Sequence, residues 1–211
     1  MKIAVIGANG KAGGLIVREA LARGHEVAGI VRNKAKLAEA AFPVIEKDIL
    51  SLTKEDLAPF DAVVDAFGVW NPADFGLFTT TTSHLCDILS GTKTRLLIVG
   101  GAGSLYTDPS HTVQLLQTKE FPAEYLPLAT AMANSLEYIR GRNDVLWTFL
   151  SPAVVLDASG LRTGSYIPGG EEAIFNSKGE SYISYADYAI AMVDELENAK
   201  HIQKRFSVIG G

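Results

Sequence analysis

Short apolar runs rich in β-branched residues alternate along this chain with stretches whose apolar residues recur every three or four positions. The first run, Ile3-Ala4-Val5-Ile6, reads as a buried strand and breaks into Gly7-Ala8-Asn9-Gly10-Lys11-Ala12-Gly13-Gly14. Ala12, Ile16 and Ala20 then share one helical face, with Arg18, Glu19 and Arg23 elsewhere and Gly24 as the stop. Glu26 to Val31 reads as a second strand, so the opening segment is a βαβ unit, which implies parallel pairing. Further strands are predicted at Phe42–Ile45, Asp61–Phe67, Leu96–Val99, Val145–Leu150 and Phe206–Ile209.

The helical pattern returns over 71–89, with Pro72 in its first turn, although the β-branched run Thr79 to Thr82 predicts a break or a ligand-facing turn. Leu128, Met132, Ser135, Leu136 and Ile139 mark another helix. A last one follows the capping signature Ser184-x-x-Asp187, with Ala186, Ala189, Ile190, Val193 and Leu196 on its apolar face. Residues 105–127 carry Pro109, Pro122 and Pro127 and read as a loop able to cover a pocket. Residues 157–183, with five glycines among short apolar pieces, read as a small carboxyl-side lobe within one domain spanning 1–211.

The first glycine cluster has a chemical reading. Gly7 lets the chain leave the strand with torsions that a Cβ forbids, Gly10 lets backbone approach a ligand, and Gly13 lets the helix lie close to the strand. Unpaired N–H groups and the helix dipole favour an anion there. The spacing is Gly-x-x-Gly-x-x-Gly rather than Gly-x-Gly-x-x-Gly, and an ordinary tight strand-to-helix turn would use the same residues.

Arg32 sharpens the reading. It stands nineteen residues beyond Gly13, at the end of the second strand, where a dinucleotide fold commonly places an acidic residue for the ribose 2′-hydroxyl. An arginine there suits a 2′-phosphate, and Lys11, Lys34 and Lys36 add positive charge, so NADP(H) is expected over NAD(H). Asp48 is either an acceptor for an adenine amino group or a turn aspartate. Asp65, inside the fourth apolar run, reads as a structural carboxylate, and Gly68 after it is a point of close backbone approach.

Leu96–Val99 opens into Gly100-Gly101-Ala102-Gly103-Ser104 on the same sheet edge as the first glycine turn, the edge where open parallel sheets bind ligands. Ser104, Tyr106 and His111 are therefore substrate-side candidates, against plainer readings as a helix cap, a half-buried aromatic and an exposed loop residue, the last being the better reading of His111. Trp70, Tyr106 and Tyr125 are candidate walls for a flat ligand, with packing as the alternative.

Composition narrows the class. With 47% hydrophobic residues and 20% charged, the 211-residue chain has the balance of a folded globular protein. Its net charge of −5 supplies no broad footprint for nucleic acid. The single cysteine, Cys86, cannot form an internal disulfide, no Asn-x-Ser/Thr site occurs, and Met1-Lys2 runs straight into the first strand with no apolar run of membrane-spanning length. A cytoplasmic location, with neither membrane nor nucleic acid as partner, is expected. Metal-ligand spacing is lacking too.

Gly7-Ala-Asn-Gly-Lys-Ala-Gly13, Val31-Arg-Asn33, Trp147-Thr-Phe-Leu-Ser-Pro152 and Ile183-Ser-Tyr-Ala-Asp-Tyr-Ala189 together resemble the atypical short-chain dehydrogenase/reductases. Within them the chain is most similar to the NAD(P)-binding group of NmrA-like proteins, biliverdin/flavin reductases and NADH-flavin reductases. The resemblance implies an α/β, doubly wound Rossmann sheet in the order 3-2-1-4-5-6, extended by the last strand. It implies a cofactor set of Gly7, Asn9, Gly10, Lys11, Ala12, Gly13, Arg32, Asp48, Ile49, Phe67, Gly68, Val69, Gly101 and Ala102. Pyrophosphate would lie on Gly10 to Gly13, adenine near Asp48 and Ile49, and nicotinamide beyond Phe67-Gly68-Val69 and Gly101-Ala102. Pro152 joins Trp70, Ser104, Tyr106 and Tyr125 on the substrate side.

One departure bears on the reaction. Typical superfamily members pair Tyr-x-x-x-Lys, the lysine lowering the tyrosine pKa for acid–base work. Here no lysine occurs between Lys119 and Lys178, Ala129 stands four residues after Tyr125, and Arg142 four after Tyr138. Alcohol or ketone chemistry by that route is unsupported and no catalytic residue is assigned. Hydride transfer to a flavin, quinone or similar conjugated acceptor is the leading expectation. An NmrA-type NADP(H) sensor and, third, an isomerase or dehydratase with bound cofactor are the rivals, and self-association as a homodimer is left open.

Overall fold

The structure, a computed structural model, describes residues 1–37 and 39–211. β1 (Lys2–Ile6), α1 (Lys11–Ala22) and β2 (Glu26–Val31) form the opening unit. β3 (Val44–Glu46), the short α2 (Lys54–Leu57), β4 (Ala62–Asp65), α3 (Leu77–Leu89) and β5 (Arg95–Val99) follow. After a long loop come α4 (Leu126–Arg140), β6 (Leu146–Ser151), β7 (Val155–Asp157), β8 (Tyr166–Gly169), β9 (Tyr182–Ser184), α5 (Tyr185–Asn198) and β10 (Lys204–Gly210). The main sheet runs β3-β2-β1-β4-β5-β6-β10-β8. Every pairing up to β6–β10 is parallel, and β8 closes the edge antiparallel to β10.

Alternation of side chains divides the core into two layers. Ile3 and Val5 of β1 face α1 and α5 with Ile16, Ala20, Tyr188 and Met192. Ala4 and Ile6 face the other side with Val63, Leu96, Leu85, Leu136 and Ile139. The sheet is thus buried on both faces, as continuous apolar strands require. All parallel strands present their carboxyl ends to one edge, which carries both glycine clusters.

Three sequence expectations change. The run Thr79–Thr82 does not break α3, because its hydroxyls find acceptors: Thr80 donates to Gly76 O (3.1 Å), Thr81 to Leu77 O (2.8 Å), and Thr82 pairs with Ser135 of α4 (2.7 Å). The turn at Pro72 is a separate 3₁₀ piece, Pro72–Asp74, capped by Asn71. The fourth strand stops at Asp65, whose carboxylate folds back onto the Phe67 N–H (3.0 Å).

The carboxyl-side lobe is less separate than expected. β7 and β9 form a small parallel ribbon, but β8 belongs to the main sheet. Asp187 fastens the lobe to α5. Ser184 Oγ accepts the Asp187 N–H (3.0 Å), while the Asp187 carboxylate accepts the N–H groups of Thr163 and Gly164 at 2.9–3.1 Å. Desolvation works to raise its pKa, but the bonds from Gly164, Thr163 and Ser184 hold it below the usual carboxylate value.

Candidate functional site

The first glycine cluster has the geometry of an anion cradle. Gly7 sits at φ +73°, and a Cβ there would stand 2.6 Å from Ala66 O. A Cβ on Gly13 would stand 2.3 Å from Gly7 O, so the first turn of α1 lies directly on the strand exit. Gly10, the N-cap of α1, is extended and lacks a side-chain cap, and the first turn holds no acidic residue. Gly10 N–H is taken by Gly7 O (2.8 Å), and the ladder of α1 starts with Gly14 N–H to Gly10 O (2.9 Å). The N–H groups of Lys11, Ala12 and Gly13 precede that ladder and are the ones a phosphate would take. The donor set and the absence of a carboxylate fit a dinucleotide pyrophosphate.

Beyond β2, Arg32, Asn33, Lys34 and Lys36 are exposed. Lys34 approaches Glu46 at 3.8 Å, whereas Arg32 forms no ion pair among the described residues. Asp48 caps the turn Ile49–Ser51 by accepting Leu50 N–H (2.9 Å), so its turn role is seen directly, with the rest of its exposed carboxylate outward. Ile49 is buried beneath it. Gly68 is exposed, and a Cβ there would meet nothing within 4 Å.

The second glycine cluster has a different cause. A Cβ on Gly100 would stand 2.2 Å from Phe149 Cε1 and one on Gly103 2.7 Å from Ala129 Cβ, while one on Gly101 would touch Met132 Sδ at 3.0 Å. These glycines admit β6 and α4 to the end of β5.

The substrate-side candidates separate into two groups. Ser104 is buried, and its hydroxyl accepts Arg205 Nη1 (3.1 Å). Tyr106 is held in the loop by backbone bonds to Glu171 O (2.9 Å) and from Ala173 N–H (2.8 Å), with Arg205 5.9 Å over its ring. His111 stacks on Tyr106 at 4.6 Å and pairs with Glu172 at 2.6 Å, so it is a surface latch. Arg205, which the sequence reading passed over, is fully enclosed and pairs with Glu171; burial pulls its pKa down while that carboxylate opposes the shift. A cation inside an apolar last strand was its only signal.

Trp70, 76% exposed, and Tyr125, 52% exposed, stand open, and neither stacks on Tyr106 or on the other among the described residues. Pro152 is buried behind β6. Asp65 is also buried, and desolvation pushes its carboxyl up to about 6, opposed only by the Phe67 N–H. Its signal was an ionisable residue ending an apolar run just before Gly68. No helix of the described residues is long and apolar enough to cross a membrane, and they hold no cluster of three or more metal-binding side chains.

A family model described as NAD(P)H-binding matches residues 7–199. A Bacillus subtilis protein, the uncharacterized YwnB, is 51% identical over 210 residues, covering 99% of this chain and 98% of that one. A crystal structure from Streptococcus pneumoniae TIGR4, named a "putative NADH-flavin reductase", is 50% identical, covers both chains fully and superimposes with a TM-score of 0.96. Another, from Bacteroides thetaiotaomicron and named a "putative epimerase", is 36% identical with a TM-score of 0.87, covering 99% of this chain and 96% of that one. The resemblance to atypical short-chain dehydrogenase/reductases and the predicted strand order both hold.

Proposed function

The chain belongs to the NAD(P)H-binding family, and we propose that it is an oxidoreductase that uses NADPH to reduce a flavin, quinone or similar conjugated acceptor. The observation that carries the reading is the uncapped, acid-free start of α1, packed through Gly13 against Gly7, with Arg32 beyond β2 in no ion pair among the described residues. Similarity to the streptococcal protein supports the choice of acceptor.

When bound, the dinucleotide supplies a hydride from its nicotinamide C4. The chain's own part is to bind and orient. The first-turn N–H groups of α1 would hold the pyrophosphate and Arg32 the 2′-phosphate, while the open backbone at Gly68 would leave room for a flat ring. Met132 stands against Gly101 on α4, and no tyrosine–lysine pair is present to move a proton. With no Tyr-x-x-x-Lys pair in the chain, the proton that accompanies reduction of the acceptor would come from solvent. Trp70 and Tyr125, open at the surface, are the proposed walls for the acceptor.

Purified protein incubated with NADPH and a panel of free flavins and quinones should oxidise the cofactor, followed by the loss of its absorbance. Absence of oxidation across the panel contradicts the reading, and tight NADPH binding without turnover would favour a sensor instead.

A further inference from the structure

Asp65 ends β4 as an ionisable group on a strand otherwise apolar and buried, and it is itself 4% exposed. One carboxylate oxygen accepts Phe67 N–H at 3.0 Å, and no other protein donor bonds this side chain among the described residues. It borders a small pocket closed by Thr81 and Thr82 of α3, Met132 and Ser135 of α4, and Phe67, with about 10 Å³ open to the centre of a water molecule. The hydroxyls there are already committed, Thr81 to Leu77 O and Thr82 to Ser135. The pocket therefore gives the carboxylate no counter-charge.

The same segment lies against the glycine turn. Asp65 is in register with Ile6, Ala66 N–H donates to Ile6 O at 3.1 Å, and a Cβ on Gly7 would collide with Ala66 O. We infer that Asp65 is a positioning residue of the dinucleotide site: its ionised carboxylate, through the Phe67 N–H, holds Phe67-Gly68-Val69 against the glycine turn, and its protonation releases that segment and weakens cofactor binding. The inference rests on the dinucleotide reading above. A hydrogen bond to a carboxylate is markedly stronger than one to a neutral acid, so protonation weakens the side-chain tie on Phe67 at this exit.

Burial places the ionisation in a useful range, near pH 6. Among the described residues, no other titratable side chain faces the group. β5 presents Ile98 and Val99, β6 Phe149, α3 Phe78, Thr81 and Thr82, α4 Met132 and Ser135, and β1 Ile6. Cys86, further along α3, feels the Asp65 charge, but burial pushes its thiol up to about 12 and it stays neutral.

The test is titration of wild type and Asp65→Asn with NAD⁺ by calorimetry from pH 5 to pH 8. NAD⁺ is acid-stable and lacks the 2′-phosphate, whose own ionisation near pH 6 would confuse the profile. At pH 5 only about one tenth of a carboxyl with its midpoint near 6 is ionised, so wild-type affinity should fall about tenfold from pH 8. Asp65→Asn, checked for cooperative thermal unfolding, should bind at pH 8 no more tightly than wild type does at pH 5 and show no pH dependence. A flat wild-type profile, or the same slope in both proteins, overturns this inference alone. Binding of neither NAD⁺ nor NADP⁺ to wild type at any pH overturns the dinucleotide reading, and this inference with it.

Discussion

Two glycine clusters leave neighbouring strands at one edge of the sheet, and they exist for different reasons. In the first, Gly7 and Gly13 remove backbone collisions beside the start of α1, which has neither a side-chain cap nor an acidic residue in its first turn. In the second, Gly100 makes room for Phe149 and the Leu150 carbonyl and Gly103 for Ala129, so the spared volume is filled by the protein itself. A glycine run at a strand end thus records close approach, and only the approaching group separates a ligand cradle from a packing joint.

The sharpest way to break the comparison is to fill both clusters. Gly13→Ala places a Cβ 2.3 Å from Gly7 O and should cost about 3 kcal/mol or more in denaturant unfolding, with NADPH binding lost in whatever remains folded. Gly100→Ala meets Phe149 at 2.2 Å and should cost on the order of 2–3 kcal/mol, yet the folded fraction should bind NADPH with unchanged affinity. Equal losses of affinity in the two variants would erase the distinction.

Asp65, beside the first cluster, gives the next largest effect. Its folded pKa of about 6 lies above the ordinary carboxylate value, so the fold favours the protonated form. The associated stability is fully present below about pH 4 and is lost as pH rises through 6. Asp65→Asn should therefore unfold with more difficulty than wild type at pH 8, by on the order of 2–3 kcal/mol, while the two converge near pH 4. Thermal unfolding across that range checks it; a gap that does not change with pH contradicts it.

Gly68→Ala gives the smallest change in stability. A Cβ there meets nothing, so stability should move by less than about 0.5 kcal/mol. Turnover with NADPH and a flavin acceptor should nevertheless fall, because the added methyl would enter the space proposed for the rings. Unchanged turnover would remove Gly68 from the site.

The opening βαβ unit was legible because apolar runs and helical repeats report burial directly, the strand order was legible only through the family resemblance, and Gly7 was legible because its torsion is a local property. The role of Gly100 was not, since Phe149 lies forty-nine residues away in the chain. The unbroken α3 escaped for a similar reason: Thr82 is satisfied by Ser135 of another helix. β8 is a short strand with Pro168 at its centre, a weak pattern that depends on pairing with β10. Asp65 was visible as a residue, but the lack of a counter-charge around it is a property of the five elements packed against it.

The central claim is that the first cluster, with Arg32, forms a dinucleotide site that prefers the 2′-phosphate. Calorimetric titration of wild type and Arg32→Ala with NADPH and NADH at one pH and salt concentration tests it most directly. The account predicts that wild type binds NADPH at least about tenfold more tightly than NADH, and that Arg32→Ala removes the difference by weakening NADPH alone, the loss of one charge-assisted contact worth roughly 1.5–3 kcal/mol. Equal wild-type affinities for the two cofactors, or a preference that survives in Arg32→Ala, would contradict it.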